Sequence, residues 1–311
     1  MTSANLPTIY ICFFYYYYYR IDSMRKSVYE NREDFGGKIK IEANSVASAK
    51  HPERNEDAYF DDAEKGIFGV FDGVGGASAG DKASRLALES VQGSLKSVSE
   101  RASLEEVTEA VRHAILEANR AVLAQQKIER NDMCTTASVG MIWNGQNEEQ
   151  KAIIGNVGDS RVYLIRNGKL QQITLDDNLA RQNARNEQEA RLLQAKMNNV
   201  IEATQLSPVE LALFKERNVI TQAIGMEMED IQPNMHVVDL LPSDKLFVCS
   251  DGISDNLTDT EIEAVLNANP DAQSAMQKLI EATRSRANSN HPRAKADDIS
   301  GMIVEVRGST K

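Results

Sequence analysis

Aspartates stand at five places where short apolar runs stop or start. Asp57 follows Asn55-Glu56. Asp72-Gly73 closes the run IFGVF (67–71), and Asp251-Gly252 closes LFVCS (246–250). Asp159 sits in GNVGDSR (155–161), and Asp297-Asp298 opens ISGMIVEV (299–306). A carboxylate at the end of a buried strand is held rigidly and loses part of its hydration. Several of them brought together repel one another strongly, so they persist as a cluster only if cations neutralise them. Carboxylate and carbonyl oxygens select hard ions (Mg²⁺, Mn²⁺ or Ca²⁺) over zinc. Glycine at position 73 lets the backbone approach closely, so its carbonyl is a candidate ligand too. A single Asp-Gly pair is an ordinary turn. Two that each end a five-residue apolar run, with further aspartate motifs elsewhere, point to a metal site. Residue types and spacing alone go no further than that.

The elements around these residues follow from periodicity. Gly37–Glu42 alternates as a half-exposed strand does, and Ala58–Phe60 and Ile67–Phe71 flank a turn at Asp61–Gly66. The run 67–71 is apolar throughout, which predicts a central strand buried on both faces. Ala79–Val98 and Ser103–Ile128 read as helices; Leu104, Val107, Val111, Ile115, Ala118 and Val122 recur at helical steps, and Ser103 with Glu106 forms a capping box. Strands return at Thr136–Trp143, Lys151–Asn156, Arg161–Arg166 and Lys169–Ile173, with Asn144-Gly145 and Asn167-Gly168 as turn signals. The stretch 178–217 is polar and helical in tendency, and reads as a flap lying over the surface. Strands Met235–Leu241 and Lys245–Cys249, helices Asp259–Ala268 and Ala272–Ala287, and a closing strand Ile299–Val306 complete the chain. Strands and helices come in blocks, which predicts an α+β fold with antiparallel sheets and helices packed outside.

The 311 residues carry 46 acidic and 35 basic side chains, a net charge of −11. That balance argues against nucleic acid or an anionic membrane as partner, since both call for basic patches. It leaves phosphorylated substrates open if metals supply local positive charge. The three cysteines, Cys12, Cys134 and Cys249, form no C-x-x-C pair, so a zinc or redox motif is not expected; buried free thiols in a reducing compartment are. The run IYICFFYYYYY (9–19) is shorter than the roughly 20 apolar residues of a membrane span and lacks the features of a signal peptide. Residues 1–36 are therefore expected to be a disordered or artefactual extension, with Met24 as an alternative start and a membrane-surface anchor as the runner-up reading.

The ordered set NEDAYF (55–60), VFDGVGG (70–76), CTTASVGMI (134–142), GNVGDSRVYLIRNGKLQQIT (155–174), NVITQAIG (218–225), LFVCSDGISDNLTD (246–259) and ADDISGMIVEV (296–306) resembles the PP2C-type, metal-dependent protein serine/threonine phosphatases, over nearly the whole chain after the N-terminal stretch. The resemblance implies a four-layer α-β-β-α sandwich of two antiparallel sheets flanked by helices, spanning 37–307 as one phosphatase domain. It implies two catalytic Mg²⁺ or Mn²⁺ ions and a third, weaker one. Asp72 would bridge the catalytic pair, the Gly73 carbonyl would ligate one ion, and Asp251 and Asp297 would complete the second. Asp57 would hold metal-bound waters with Glu56 in support, and Asp159 would share the third ion with Asp251. The implied reaction is hydrolysis of phosphoserine or phosphothreonine in a protein by a water bridging two cations, which needs no side-chain nucleophile. The expected protein is a cytoplasmic monomer with no integral membrane span. Three positions depart from the family pattern. Pro52 stands where relatives carry a phosphate-gripping arginine, leaving Arg54 as the candidate for that role; Val74 follows the first Asp-Gly where many carry histidine; Ser300 replaces a threonine. Two other readings stay open, a pseudophosphatase-like binding module and a phosphatase of small molecules.

Overall fold

The computed structural model describes residues 32–34, 39–74, 79–145, 149–227 and 231–307. The expected extension lies outside the described residues up to position 31, including the aromatic run and Met24. Among the described residues before position 37, β1 (Arg32–Asp34) pairs antiparallel with β2 (Ile39–Val46). Three charged residues carry no hydrophobic period, so no pattern announces this strand.

The remaining strands are β3 (Ala58–Asp62), β4 (Ile67–Phe71), β5 (Gly73–Val74), β6 (Cys134–Thr135), β7 (Ala137–Asn144), β8 (Gln150–Val157), β9 (Arg161–Arg166), β10 (Lys169–Gln172), β11 (Asn234–Leu240), β12 (Lys245–Cys249) and β13 (Ile299–Val306). Among the described residues one sheet runs β1-β2-β13-β12-β9-β10 and a second runs β11-β8-β7-β4-β3, every pairing antiparallel. Helices α1 (Gly80–Lys96) and α2 (Leu104–Glu129) cover the second sheet. Helices α6 (Asp251–Ser254), α7 (Asp259–Ala268) and α8 (Ala272–Ala287) cover the first. The fold is an α-β-β-α sandwich, as the sequence implied.

Strand alternation explains the layers. In β4, Phe68 and Val70 face the inter-sheet core with Ile41, Ile154, Val248 and Val304. The alternate residues Ile67 and Phe71 meet Ala83, Val91 and Ile115 of the covering helices. In β12, Leu246 and Val248 point into the inter-sheet core, while Phe247 and Cys249 pack against Ile262, Met276 and Leu279. A strand buried on both faces has no polar side to alternate, hence the continuous apolar runs. Helix α2 begins at the expected Ser103–Glu106 capping box, and α7 begins at a second one, Thr258 with Glu261. Between β9 and β10, Asn167 and Gly168 both have positive φ, 53° and 73°, as the tight hairpin turn requires. At Asn144-Gly145 the chain instead makes a longer connection: Asn144 pairs with Gln150 across it, and the Gly145 N–H donates to the Glu149 carbonyl.

The flap is helical, with α3 (Leu179–Asn183), α4 (Glu187–Asn198), a single 3₁₀ turn (Ala203–Gln205) and α5 (Pro208–Lys215). It has a small core of its own, Ala180, Met197, Val200 and Phe214. None of the helices among the described residues is long and apolar enough to cross a membrane.

Candidate active site

Antiparallel register brings the aspartates to one end of the sandwich. In the second sheet Ala58 pairs with Phe71, so Asp57 just before β3 and Asp72 just after β4 are neighbours. In the first sheet Cys249 lies between Arg161 and Gly301. The end of β12 therefore meets the starts of β9 and β13, which collects Asp251, Asp159 and Asp297. A cavity of about 260 Å³ opens there, lined by Glu56, Asp72, Gly73, Asp159, Asp251 and Asp297 together with Val74, Asn218, Ile220 and Lys295.

Each carboxylate is held by its surroundings. The Asp72 N–H donates to Thr136 Oγ1 at 2.9 Å, and its carbonyl accepts from the Thr136 N–H and the Thr135 hydroxyl, both at 2.9 Å. Asp57 Oδ2 accepts from Ser250 Oγ at 2.8 Å. The Asp159 turn is pinned on its far side, where the Ser160 carbonyl accepts from Ser138 Oγ and Asn156 Nδ2. Beyond it Arg161 makes a buried pair with Asp176 at 2.7 Å. Both Asp-Gly pairs need their glycine. A Cβ on residue 73 would fall 2.3 Å from the Gly80 carbonyl oxygen, and one on residue 252 would fall 1.8 Å from that of Asp298. No side chain fits at such distances.

The electrostatics record the convergence. Burial pushes the Asp72 carboxyl well above its ordinary range, and the charges of Asp57, Asp251, Asp297 and Asp159 push it further. Asp57 and Asp159 are raised mainly by burial as well. Asp251 rises to about 6, burial outweighing the opposing pull of Lys295. Asp251 Oδ1 is buried without a hydrogen-bond partner. A buried carboxylate oxygen left unpaired is costly, and an oxygen-only donor set of this charge suits one or more hard divalent cations. These residues therefore fit the metal that the sequence implies.

Glu56 lines the cavity. Its N–H donates to Asp298 Oδ2 at 2.7 Å, and its side chain pairs with Arg54 at 3.1 Å. Arg54 itself does not line the cavity. His51, Glu56 and Asp298 also lie close enough together to suggest a separate ion site. Their atoms are already engaged: His51 Nδ1 contacts the Arg54 carbonyl at 2.9 Å, and the Asp298 oxygens accept the N–H groups of Ser48 and Glu56 at 2.7 Å. The cluster is thus a brace for the loop 48–56. Sequence reasoning gave no role to Lys295. Its ammonium contacts Asp251 closely, Asp297 at 3.0 Å and Asp255 at 3.2 Å. A lysine two residues before Asp297 was the available signal, and nothing local shows that it reaches back to Asp251.

A family model for protein phosphatase 2C matches residues 48–294. The chain belongs to the protein phosphatase 2C family. The match stops just short of Lys295 and Asp297. Curated relatives of this phosphatase 2C chain include the serine/threonine phosphatase stp of Listeria monocytogenes, 26% identical over 257 residues, 82% of this chain and 90% of the relative. Protein phosphatase PhpP of Streptococcus pneumoniae is 30% identical over 212 residues, 68% of this chain and 76% of the relative. Among solved structures, Stp1 of Staphylococcus aureus superposes with a TM-score of 0.69 at 21% identity, covering 90% of this chain and all of that one. The catalytic domain of PstP, crystallised with two manganese ions, gives 0.66 at 23% identity, covering 87% and 99%. These two likenesses establish the shared sandwich fold.

Proposed function

We propose that this phosphatase 2C chain hydrolyses phosphoserine and phosphothreonine in proteins, using divalent cations held by the aspartate cluster. The observation that carries the reading is the convergence of Asp72, Asp159, Asp251 and Asp297 on one cavity, with the Asp57 charge acting on Asp72 from behind it and a buried Asp251 oxygen lacking any hydrogen-bond partner. Asp72, the Gly73 carbonyl, Asp251 and Asp297 would hold two ions, Mg²⁺ or Mn²⁺, with Asp57 orienting their waters. A third, weaker ion would share Asp251 with Asp159. Bound there, the ions supply Lewis acidity and an activated water near neutral pH.

The chain's own residues do the positioning. Thr135 and Thr136 fix Asp72 through three hydrogen bonds, and Ser250 fixes Asp57. Glu56 lines the cavity wall and pairs with Arg54, whose guanidinium is a candidate contact for substrate phosphate in place of the arginine that Pro52 replaces. No cysteine or histidine nucleophile is required; Cys249 lies in the core with its thiol pushed up by burial. The domain is proposed to span 37–307, joined at its edge by β1, with 178–217 as a flap beside the cavity; Asn218 and Ile220, just after the flap, line the wall.

The test is Mn²⁺-dependent hydrolysis of a phosphothreonine peptide by wild type and Asp251→Asn. Activity that needs metal and drops by ~10²–10³-fold or more in the variant, a loss on the scale of removing a key electrostatic group, supports the reading. A wild type that binds Mn²⁺ yet stays inert on phosphopeptides and on small phosphate esters would overturn it and favour a binding module. Hydrolysis of small esters alone would favour a small-molecule phosphatase.

A further inference from the structure

We propose that the Lys295 ammonium is a tethered cation that competes with a divalent ion for Asp251 and Asp297, and so sets how tightly the cleft takes up metal. The inference rests on the two-cation reading above. Lys295 reaches the cleft from a fixed base. Its N–H donates to Asn256 Oδ1 at 3.0 Å, while Asn256 Nδ2 donates to the Lys295 carbonyl and the Gly252 carbonyl, both at 2.8 Å. The same asparagine therefore ties the lysine backbone to the Asp251-Gly252 turn. From there the side chain contacts Asp251 Oδ2, Asp297 Oδ2 at 3.0 Å and Asp255 Oδ2 at 3.2 Å.

The oxygens it uses are the ones a metal needs. Asp297 Oδ1 accepts the Asp298 N–H at 2.9 Å, and Lys295 sits on the other oxygen, Oδ2, at 3.0 Å. Asp251 is left with Oδ1 alone unpartnered. An ammonium and a divalent ion a few ångströms apart repel strongly at low dielectric. Loading of the Asp251–Asp297 position therefore requires Lys295 to swing away. Its long, flexible stem permits that, and the adjoining cavity offers room. Asp255, itself anchored to Arg217 at 3.4 Å, offers the displaced ammonium a partner beside the cleft through its other oxygen at 3.2 Å. The ammonium thus supplies in the metal-free protein some of the positive charge that the ions supply in the loaded one.

The test is calorimetric titration of MnCl₂ into the chelator-stripped full chain, comparing wild type, Lys295→Gln and Lys295→Arg, with melting of each metal-free protein. Lys295→Gln is expected to tighten its weaker Mn²⁺ step by about tenfold or more, as loss of a competing buried charge should, and to lower the metal-free melting temperature. Lys295→Arg should keep the wild-type pattern. If Lys295→Gln does not fold in chelator, its Mn²⁺-driven refolding reports the affinity instead, and a midpoint at or above the wild-type dissociation constant overturns the proposal. Wild-type Mn²⁺ binding that Lys295→Gln leaves within twofold sinks the lysine proposal alone. Absence of Mn²⁺ binding in all three proteins removes the two-cation reading along with it.

Discussion

At the residue scale the site is a compromise between charge and burial. Asp57, Asp72, Asp159 and Asp251 all hold their protons more tightly in the folded, metal-free protein than an exposed aspartate does. For Asp251 the shift runs from 3.8 to about 6. A carboxyl raised in this way stabilises the fold fully below its unfolded value, and that contribution is lost as pH rises through the folded value. Between roughly pH 4 and pH 6 deprotonation of Asp251 weakens the metal-free protein, and its three neighbours act in the same direction. Mn²⁺ binds the deprotonated forms, so it reverses the penalty. The gap between urea midpoints in Mn²⁺ and in chelator should widen from about pH 5 to about pH 7; a constant gap would show that these carboxyls do not bind the ion. Gly252 gives a purely steric prediction. With a Cβ placed 1.8 Å from the Asp298 carbonyl oxygen, Gly252→Ala should cost at least about 1–3 kcal/mol, read as a lower urea midpoint in chelator.

At the element scale the flap and the sheets differ in how they are held. The sheets share long cores with the helices, whereas the flap relies on a small cluster around Ala180, Met197, Val200 and Phe214 and on two arginines. Arg293 donates from Nη1 to the Met197 carbonyl at 2.8 Å and from Nη2 to the Ser254 carbonyl at 2.7 Å, which ties α4 to α6. The guanidiniums of Arg217 and Arg293 lie 4.7 and 5.8 Å from the Phe214 ring. Phe214→Ala removes the largest member of the small core, a change that costs about 3–5 kcal/mol in a well-packed site. Because that core is separate, the loss should be local. Hydrogen exchange should speed up across 178–217 while β4, β7 and β12 keep their protection; uniform acceleration would mean that flap and sandwich unfold together. If the flap tunes substrate choice, its deletion should change the ranking of phosphopeptide substrates while leaving metal binding intact.

At the scale of the whole molecule, metal and fold are linked. Each ion that binds only the folded chain adds about 2.7 kcal/mol when present at 100 times its dissociation constant. Mn²⁺ at that level should therefore raise the melting temperature clearly above that in chelator, and Asp72→Asn should abolish most of the rise. An equal rise in the variant would place the binding elsewhere. The net charge of −11 acts at this scale too: acidic phosphopeptides approach a like-charged body, so their association should quicken with added salt.

Much of this architecture was open to reading from the chain alone. The runs 67–71 and 246–249 are apolar because both strand faces are covered, and they mark central strands without any tertiary information. Ser103 with Glu106 and Thr258 with Glu261 fix helix starts through contacts three residues apart. The aspartates and their glycines identify themselves because chain direction and residue type are local properties. What lay beyond the sequence is non-local. Strand β1 exists only because β2 offers an edge to Arg32–Asp34. The flap core is assembled from Ala180, Met197, Val200 and Phe214, spaced with no common period. Asp298 becomes a brace only once Ser48 and Glu56 are folded onto it. Lys295 becomes a cation within the cleft only when antiparallel pairing of β12 and β13 brings Asp251 to Asp297. Hydrogen-bond register and Coulomb interaction act through space, so which charges meet was decided by the tertiary structure.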